Sequence, residues 1–194
     1  MIRKTALVGV VAFAAAWVSG SSSAEEVAIG AKAPEFQAEG VDGKDYCLAC
    51  ASKDAKVTVL CFTCNGCPVA MAYEDRLIEF AKKYAGQGVK LIAINCNNAT
   101  ENLEAMKKRS DAKKFSFPYV FDESGDAARA YGARVTPHLF VVDSAGKVAY
   151  RGAFDDNQNK PTEHYLVNAV DALRAGKKPA KDSTNAFGCS IKLK

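Results

Sequence analysis

The spacing of hydrophobic and polar positions changes several times along the chain, and each change marks an element. Val57 to Phe62 is a nearly continuous apolar run of strand length with several β-branched residues, the pattern of a strand buried on both faces. From Pro68 to Tyr84 the apolar residues Tyr73, Leu77, Phe80, Ala81 and Tyr84 recur at helical spacing with charged residues between them, and Gly86 and Gly88 end the helix. Val89 to Asn95 predicts the next strand, and Ala99-Thr100-Glu101 opens a second helix reaching about Lys114, with Thr100 as its N-cap. A short strand at Tyr119 to Phe121 and a small helix at Asp126 to Tyr131 follow. Strands at His138 to Val142 and Lys147 to Gly152 are joined by the turn Asp143-Ser144-Ala145-Gly146, and a last helix runs from Thr162 to Ala175. Ahead of all these, Ala33-Pro34-Glu35-Phe36 and the turn Val41-Asp42-Gly43-Lys44 predict a short hairpin. The order of elements predicts an α/β fold: a central mixed β-sheet flanked by helices, with an N-terminal β-hairpin extension.

The first residues change the expected compartment. Arg3 and Lys4 precede the apolar run Thr5 to Val18, which is followed by Ser-Gly-Ser-Ser-Ser-Ala. The run is shorter than the roughly 20 residues of a membrane-spanning helix, and Ser22 and Ala24 suit a signal-peptide cleavage after Ala24. Residues 1–24 are therefore expected to be removed and the protein exported to a periplasmic or extracellular compartment, with no membrane attachment afterwards. Residues 25–176 form the expected domain, and 177–194 a tail whose Phe187 and Ile191 can dock it there. The chain has 26 Lys and Arg against 22 Asp and Glu, two of the basic residues being Arg3 and Lys4, and no basic stripe, which excludes nucleic acid as a partner.

Export also changes how the seven cysteines are read, because thiols outside the cytoplasm tend to oxidise. An odd number leaves at least one without a partner in the chain. Cys61 falls within the predicted buried strand, while Cys64 and Cys67 straddle the loop into the helix that Pro68 opens. A thiol at Cys64 would meet free backbone N–H groups and the positive end of the helix dipole, which favour the thiolate, the species that attacks disulfides. Cys67, one turn on, is placed to resolve the mixed disulfide. A metal alternative takes Cys47, Cys50, Cys61, Cys64 and Cys67 as thiolate ligands. The interval between its halves is short for a zinc ribbon, and Cys61 has apolar neighbours, so a small core residue is the simpler reading of Cys61 and Cys96. Cys47 and Cys50 are left either as a local disulfide or as two thiols. His138 and His164 read as a strand residue and a surface residue.

Phe62-Thr63-Cys64-Asn65-Gly66-Cys67-Pro68, Val135-Thr136-Pro137 and Ala33-Pro34-Glu35-Phe36 together resemble the thioredoxin superfamily, in its exported TlpA/ResA-like and AhpC/TSA (redoxin) branch. A narrower subgroup is similar through Ala72-Tyr73-Glu74-Asp75-Arg76-Leu77, Ala130-Tyr131-Gly132-Ala133, Tyr150-Arg151-Gly152 and the ending Gly188-Cys189-Ser190-Ile191-Lys192. The resemblance implies a thioredoxin-like fold and a thiol–disulfide oxidoreductase, with Cys64 the exposed nucleophile and Cys67 the resolving cysteine. It further implies a cis-proline at Pro137, with Thr136 offering backbone hydrogen bonds to an extended substrate. Cys189 becomes a candidate third redox cysteine. Expected partners are protein thiols and disulfides and a further redox partner, with the chain a monomer and no cofactor. Where the subgroup often has His the chain has Gly66, which leaves Cys64 less acidic. A thiol peroxidase is the first alternative, but its Pro-x-x-x-Thr-x-x-Cys pattern is missing, since Val57 and Cys61 stand where Pro and Thr would. A copper-delivery module is the second, with His138 as the candidate extra ligand.

Overall fold

The computed structural model describes residues 25–194, and the expected signal peptide, residues 1–24, lies outside the described residues. The chain forms β1 (Gln37–Gly40), β2 (Asp45–Cys47), α1 (Leu48–Ser52), β3 (Val57–Thr63), α2 (Pro68–Tyr84), β4 (Val89–Asn95), α3 (Leu103–Lys113) and β5 (Tyr119–Phe121). It continues through α4 (Asp126–Tyr131), β6 (Val135–Thr136), β7 (His138–Asp143), β8 (Val148–Gly152), α5 (Tyr165–Arg174) and β9 (Cys189–Ser190). Seven strands make one mixed sheet in the order β2-β1-β5-β4-β3-β7-β8, and β6 pairs with β9 in a separate two-stranded sheet. Strands β3, β4 and β5 run parallel, while β7 lies antiparallel to β3 and the β1–β2 hairpin antiparallel to β5. This is a thioredoxin-like fold with the hairpin added at one edge.

All seven residues of β3 are buried, because helices cover both faces of the sheet at this strand. Val57, Val59 and Cys61 pack with Tyr73, Leu77 and Phe80 of α2 and with Leu166 and Val170 of α5. Leu60 and Phe62 point the other way, into a layer containing Tyr131 of α4, Phe140 of β7 and Phe36 of the lead-in. In that layer Phe62, Tyr131 and Phe140 form a triangle of rings with centroids 5.0 to 5.7 Å apart. Full burial of one such side chain contributes about 1.5–3 kcal/mol, so β3 is the strand on which both layers depend. Its last residue, Thr63, leads directly into the cysteine loop.

The structure departs from the sequence expectations at four places. A five-residue helix, α1, follows β2; Cys47 caps it by accepting the N–H of Cys50 at 2.9 Å, and the two cysteines form a disulfide. That bond removes two ligands from the five-thiolate alternative. Helix α3 begins at Leu103, not near Ala99, with Asn102 as the N-cap accepting from the N–H of Ala105 at 2.9 Å. Helix α5 begins at Tyr165 rather than Thr162, because the Thr162 hydroxyl and the N–H groups of Thr162 and Glu163 bind the Asp156 carboxylate. The β6–β9 pair had no counterpart in the predicted elements, since two-residue strands carry no readable alternation.

Candidate active site

The parallel strands β3 and β4 end side by side, with Thr63 paired to Asn95. Chain ends of parallel strands are where an open α/β sheet presents its chemistry. From there Cys64-Asn65-Gly66 crosses to Cys67, the N-cap of α2, whose sulfur accepts the N–H of Ala70 at 3.4 Å, and Pro68 takes the first helical position. The Thr136–Pro137 peptide is cis, and fully buried Thr136 faces the loop. Cys64 Sγ lies 3.3 Å from Thr136 Oγ1, and the Cys67 thiol donates to the Thr136 carbonyl at 3.2 Å. Four residues singled out from sequence, Cys64, Cys67, Thr136 and Pro137, are thus brought together.

A residue that sequence reasoning missed organises the loop. Glu101, in the turn ahead of α3, accepts the N–H groups of Asn65 at 2.9 Å and Gly66 at 3.0 Å and the side-chain amide of Asn95 at 2.6 Å. Tyr119 completes the frame by donating to Asn65 Oδ1 at 2.9 Å and accepting from Asn95 at 3.0 Å. Asn95 is wholly buried at a strand end within the run Asn95-Cys96-Asn97-Asn98. A buried amide needs partners, and that run was the available signal.

This frame alters the acidity expected of the thiols. Burial pushes the Cys64 thiol up to about 11, and the Glu101 charge adds to the rise against the opposing hydrogen bonds from Thr136 and the Cys67 N–H. Two of the loop N–H groups that were to stabilise a Cys64 thiolate, those of Asn65 and Gly66, are already held by Glu101. Cys64 is also only 3% exposed and Cys67 2%, so the expectation of an exposed, acidified Cys64 is not met. At Cys67 burial also raises the pKa, but hydrogen bonds from Cys189, the Ala70 N–H and Thr136 outweigh it and leave the thiol below its usual value. Cys67 donates to the Thr136 carbonyl only while protonated; as a thiolate it is an acceptor for these donors.

The sequence signature of the AhpC/TSA family matches residues 29–151, more than half of the chain. The chain belongs to the AhpC/TSA family. Among its relatives, the thiol-disulfide oxidoreductase ResA of Geobacillus thermodenitrificans is 29% identical over 123 residues, 63% of this chain and 67% of the relative. The sporulation thiol-disulfide oxidoreductase A of Bacillus subtilis is 26% identical over 133 residues, 69% of this chain and 78% of the relative. Of solved structures, a hypothetical protein from Sinorhizobium meliloti superposes with a TM-score of 0.82 at 34% identity, covering 88% of this chain and 97% of the other.

The remaining candidates of this AhpC/TSA protein fall in two places. Cys189, on β9, packs against Cys64, Cys67 and Ala70 and shares with the first two a small cleft that Glu101 and Lys192 also line. His138 lies on β7, is buried, and stacks on Phe140 with 4.6 Å between ring centroids. Burial, with the charges of Arg151 and Arg134, pulls its pKa down to about 4. It is not among the residues lining the cleft. Among the described residues no helix is long and apolar enough to cross a membrane.

Proposed function

We propose that this AhpC/TSA protein is an exported thiol–disulfide oxidoreductase that cycles Cys64 and Cys67 between dithiol and disulfide. The observation that carries this reading is the convergence of both sulfurs on Thr136, 3.3 and 3.2 Å away, at the start of α2 and beside the cis-proline. The names of the ResA and sporulation relatives agree with it, and the apolar run behind Arg3 and Lys4 supports export. In the first step the Cys64 thiolate attacks one sulfur of a protein disulfide, and the displaced sulfur leaves as a thiolate that takes up a proton. Cys67 then attacks Cys64 Sγ in the mixed disulfide. The second substrate thiol is released, two electrons have passed to the substrate, and Cys64–Cys67 is oxidised. The acidity of Cys67 suits this resolving step. Thr136 and Pro137 receive the substrate by main-chain pairing in extended conformation when β9, which pairs with Thr136, gives up that edge. The protein acts as a monomer on protein substrates, needs no organic cofactor, and is returned to its starting state by a separate redox partner.

Insulin reduction with dithiothreitol as electron donor tests the reading. The protein accelerates precipitation of the insulin B chain, and Cys64→Ser and Cys67→Ser each abolish the acceleration. No acceleration by the unaltered chain would reject the oxidoreductase reading. Hydrogen peroxide consumption at a comparable rate would support the peroxidase instead.

A further inference from the structure

The last residues of the chain return to the cysteine site as a strand. β9 pairs antiparallel with β6 in the register Val135 to Ser190 and Thr136 to Cys189, and the N–H of Ile191 extends the ladder to the Arg134 carbonyl at 2.9 Å. The edge of Thr136 is the one an extended substrate would use, and the chain's own tail occupies it. Anchors hold the tail on both sides. Phe187 packs on Tyr73, while beyond the strand the N–H groups of Lys192 and Lys194 donate to Asn97 Oδ1 at 2.9 Å and Asn98 Oδ1 at 2.7 Å. Gly188, with φ of 150°, permits the close approach, since a Cβ at this position would collide with the Thr136 carbonyl.

In this register Cys189 packs with Cys67, Val69 and Ala70 at the start of α2, and interaction with Cys189 is among the influences that lower the Cys67 pKa. Cys64 instead faces the Thr136 hydroxyl. Cys189 is partly exposed, whereas the other two sulfurs are buried.

We propose that Cys189 is a third redox cysteine, held by β9 beside Cys67, and that it exchanges with the Cys64–Cys67 disulfide by attacking Cys67. This rests on the oxidoreductase reading above. The Cys189 thiolate attacks Cys67 Sγ; the Cys67–Cys189 bond forms as the Cys64–Cys67 bond breaks, and the electron pair leaves on Cys64. The proton lost by Cys189 is balanced by the one Cys64 takes up, so the chain is neither oxidised nor reduced overall. The exchange moves the disulfide from a buried pair to one with an accessible sulfur, where the thiol of a reducing partner protein can reach it.

Disulfide mapping of the full mature chain decides the matter. After equilibration in a glutathione redox buffer, acid quenching and alkylation, trypsin places Cys61, Cys64 and Cys67 on residues 57–76 and Cys189 on residues 182–192. The expected result is a Cys67–Cys189 crosslink between these peptides together with an internal Cys64–Cys67 bond, and near-complete crosslinking in Cys64→Ser. Gly188→Val retains all three thiols but blocks the strand pairing, and is expected to reduce the crosslink at least tenfold while leaving Cys64–Cys67 intact. Formation of Cys64–Cys67 alone, or an undiminished crosslink in Gly188→Val, overturns the exchange and leaves the oxidoreductase reading standing. Formation of neither bond overturns both.

Discussion

Replacing Glu101 by Gln is expected to make Cys64 more acidic. The carboxylate holds the N–H groups of Asn65 and Gly66 and the Asn95 amide, and its charge raises the Cys64 pKa. Its oxygens bond the N–H groups of the two residues after Cys64, and a charged neighbour within about 4–6 Å typically shifts a pKa by about 1–3 units. Burial is the larger cause at Cys64, which puts the Glu101 contribution at the lower end, about 1 unit or about 1.4 kcal/mol. Neutralising Glu101 removes that repulsion and loosens its hold on two N–H groups next to Cys64, and both effects act in the same direction. The Cys64 pKa should therefore fall from about 11 by about 1 unit or somewhat more. Because Gln keeps an oxygen acceptor, the stability cost should be about 1 kcal/mol, whereas Glu101→Ala, which takes the acceptor from the buried Asn95 amide and the half-buried Asn65 N–H while water can serve the exposed Gly66 N–H, should cost about 2–3 kcal/mol. The assay is iodoacetamide labelling against pH in a Cys67→Ser, Cys189→Ser background, read by mass at Cys64 with and without the Glu101 change. A Cys64 pKa that stays put or rises on Glu101→Gln would refute the reasoning.

His138 should make the protein acid-sensitive. Its folded pKa is near 4 and its unfolded value about 6.5, so below pH 6.5 the unfolded chain binds more protons. Stability present at neutral pH is then lost as pH falls from about 6.5 to 4, by about 3 kcal/mol, and His138→Phe removes this dependence in urea unfolding; equal slopes for parent and variant would contradict it. Arg76→Ala strands the Asp155 carboxylate, 0% exposed and paired with Arg76 at 2.6 Å, and should lower unfolding stability by about 3–5 kcal/mol, part of it recovered by adding Asp155→Asn. A loss below about 1 kcal/mol would show that the Tyr73 hydroxyl, 2.5 Å from Asp155, suffices. Replacing Cys47 and Cys50 with Ser should cost no more than about 2 kcal/mol, since the bridge closes a very short loop. Insulin reduction should be unaffected, because α1 meets β3 through Ser52 and Thr58 at its opposite end.

The long elements were legible because their patterns run for several residues: β3 is apolar throughout, and α2 carries one apolar stripe under a proline start. Helix α1 and strands β6 and β9 were not, since five residues or two do not complete a period. The start of α3 shows a different limit. Thr100 and Asn102 are both good capping residues, and nothing local chooses between them. The choice comes from Glu101, whose carboxylate is taken by the N–H of Asn65, 36 positions away in sequence, which keeps its segment out of the helix. At the site, the spacing of Cys64 and Cys67 with Pro68 announced the strand-to-helix turn, but not which sulfur the helix would serve. That depends on where Glu101 and Cys189 arrive, and both come from distant parts of the chain.

The N–H groups around the start of α2 are divided among four acceptors, and that division orders the thiols. Asn65 and Gly66 serve Glu101, Cys67 serves Cys64, Val69 serves Cys189, and Ala70 serves Cys67. A thiol gains acidity from the donors left to it, not from its place in the Cys-x-x-Cys spacing. The consequence separates rate from poise. With a pKa of about 11, or about 10 after Glu101→Gln, Cys64 is almost wholly protonated at neutral pH in either case, so its own ionisation adds little to the stability of the reduced form. The neutral-pH potential should then barely respond to Glu101. The attack rate should respond, because each unit of lowered pKa gives about ten times more thiolate, while a Brønsted coefficient of about 0.4–0.5 returns part of this as weaker nucleophilicity, a net gain of about three- to fourfold. Under the proposed reaction, Glu101→Gln is therefore expected to change how fast Cys64 reacts more than which way electrons flow. Under the same reaction the direction should respond instead to Cys67, the thiol whose pKa is lowered within the pair, with Cys189 among the causes.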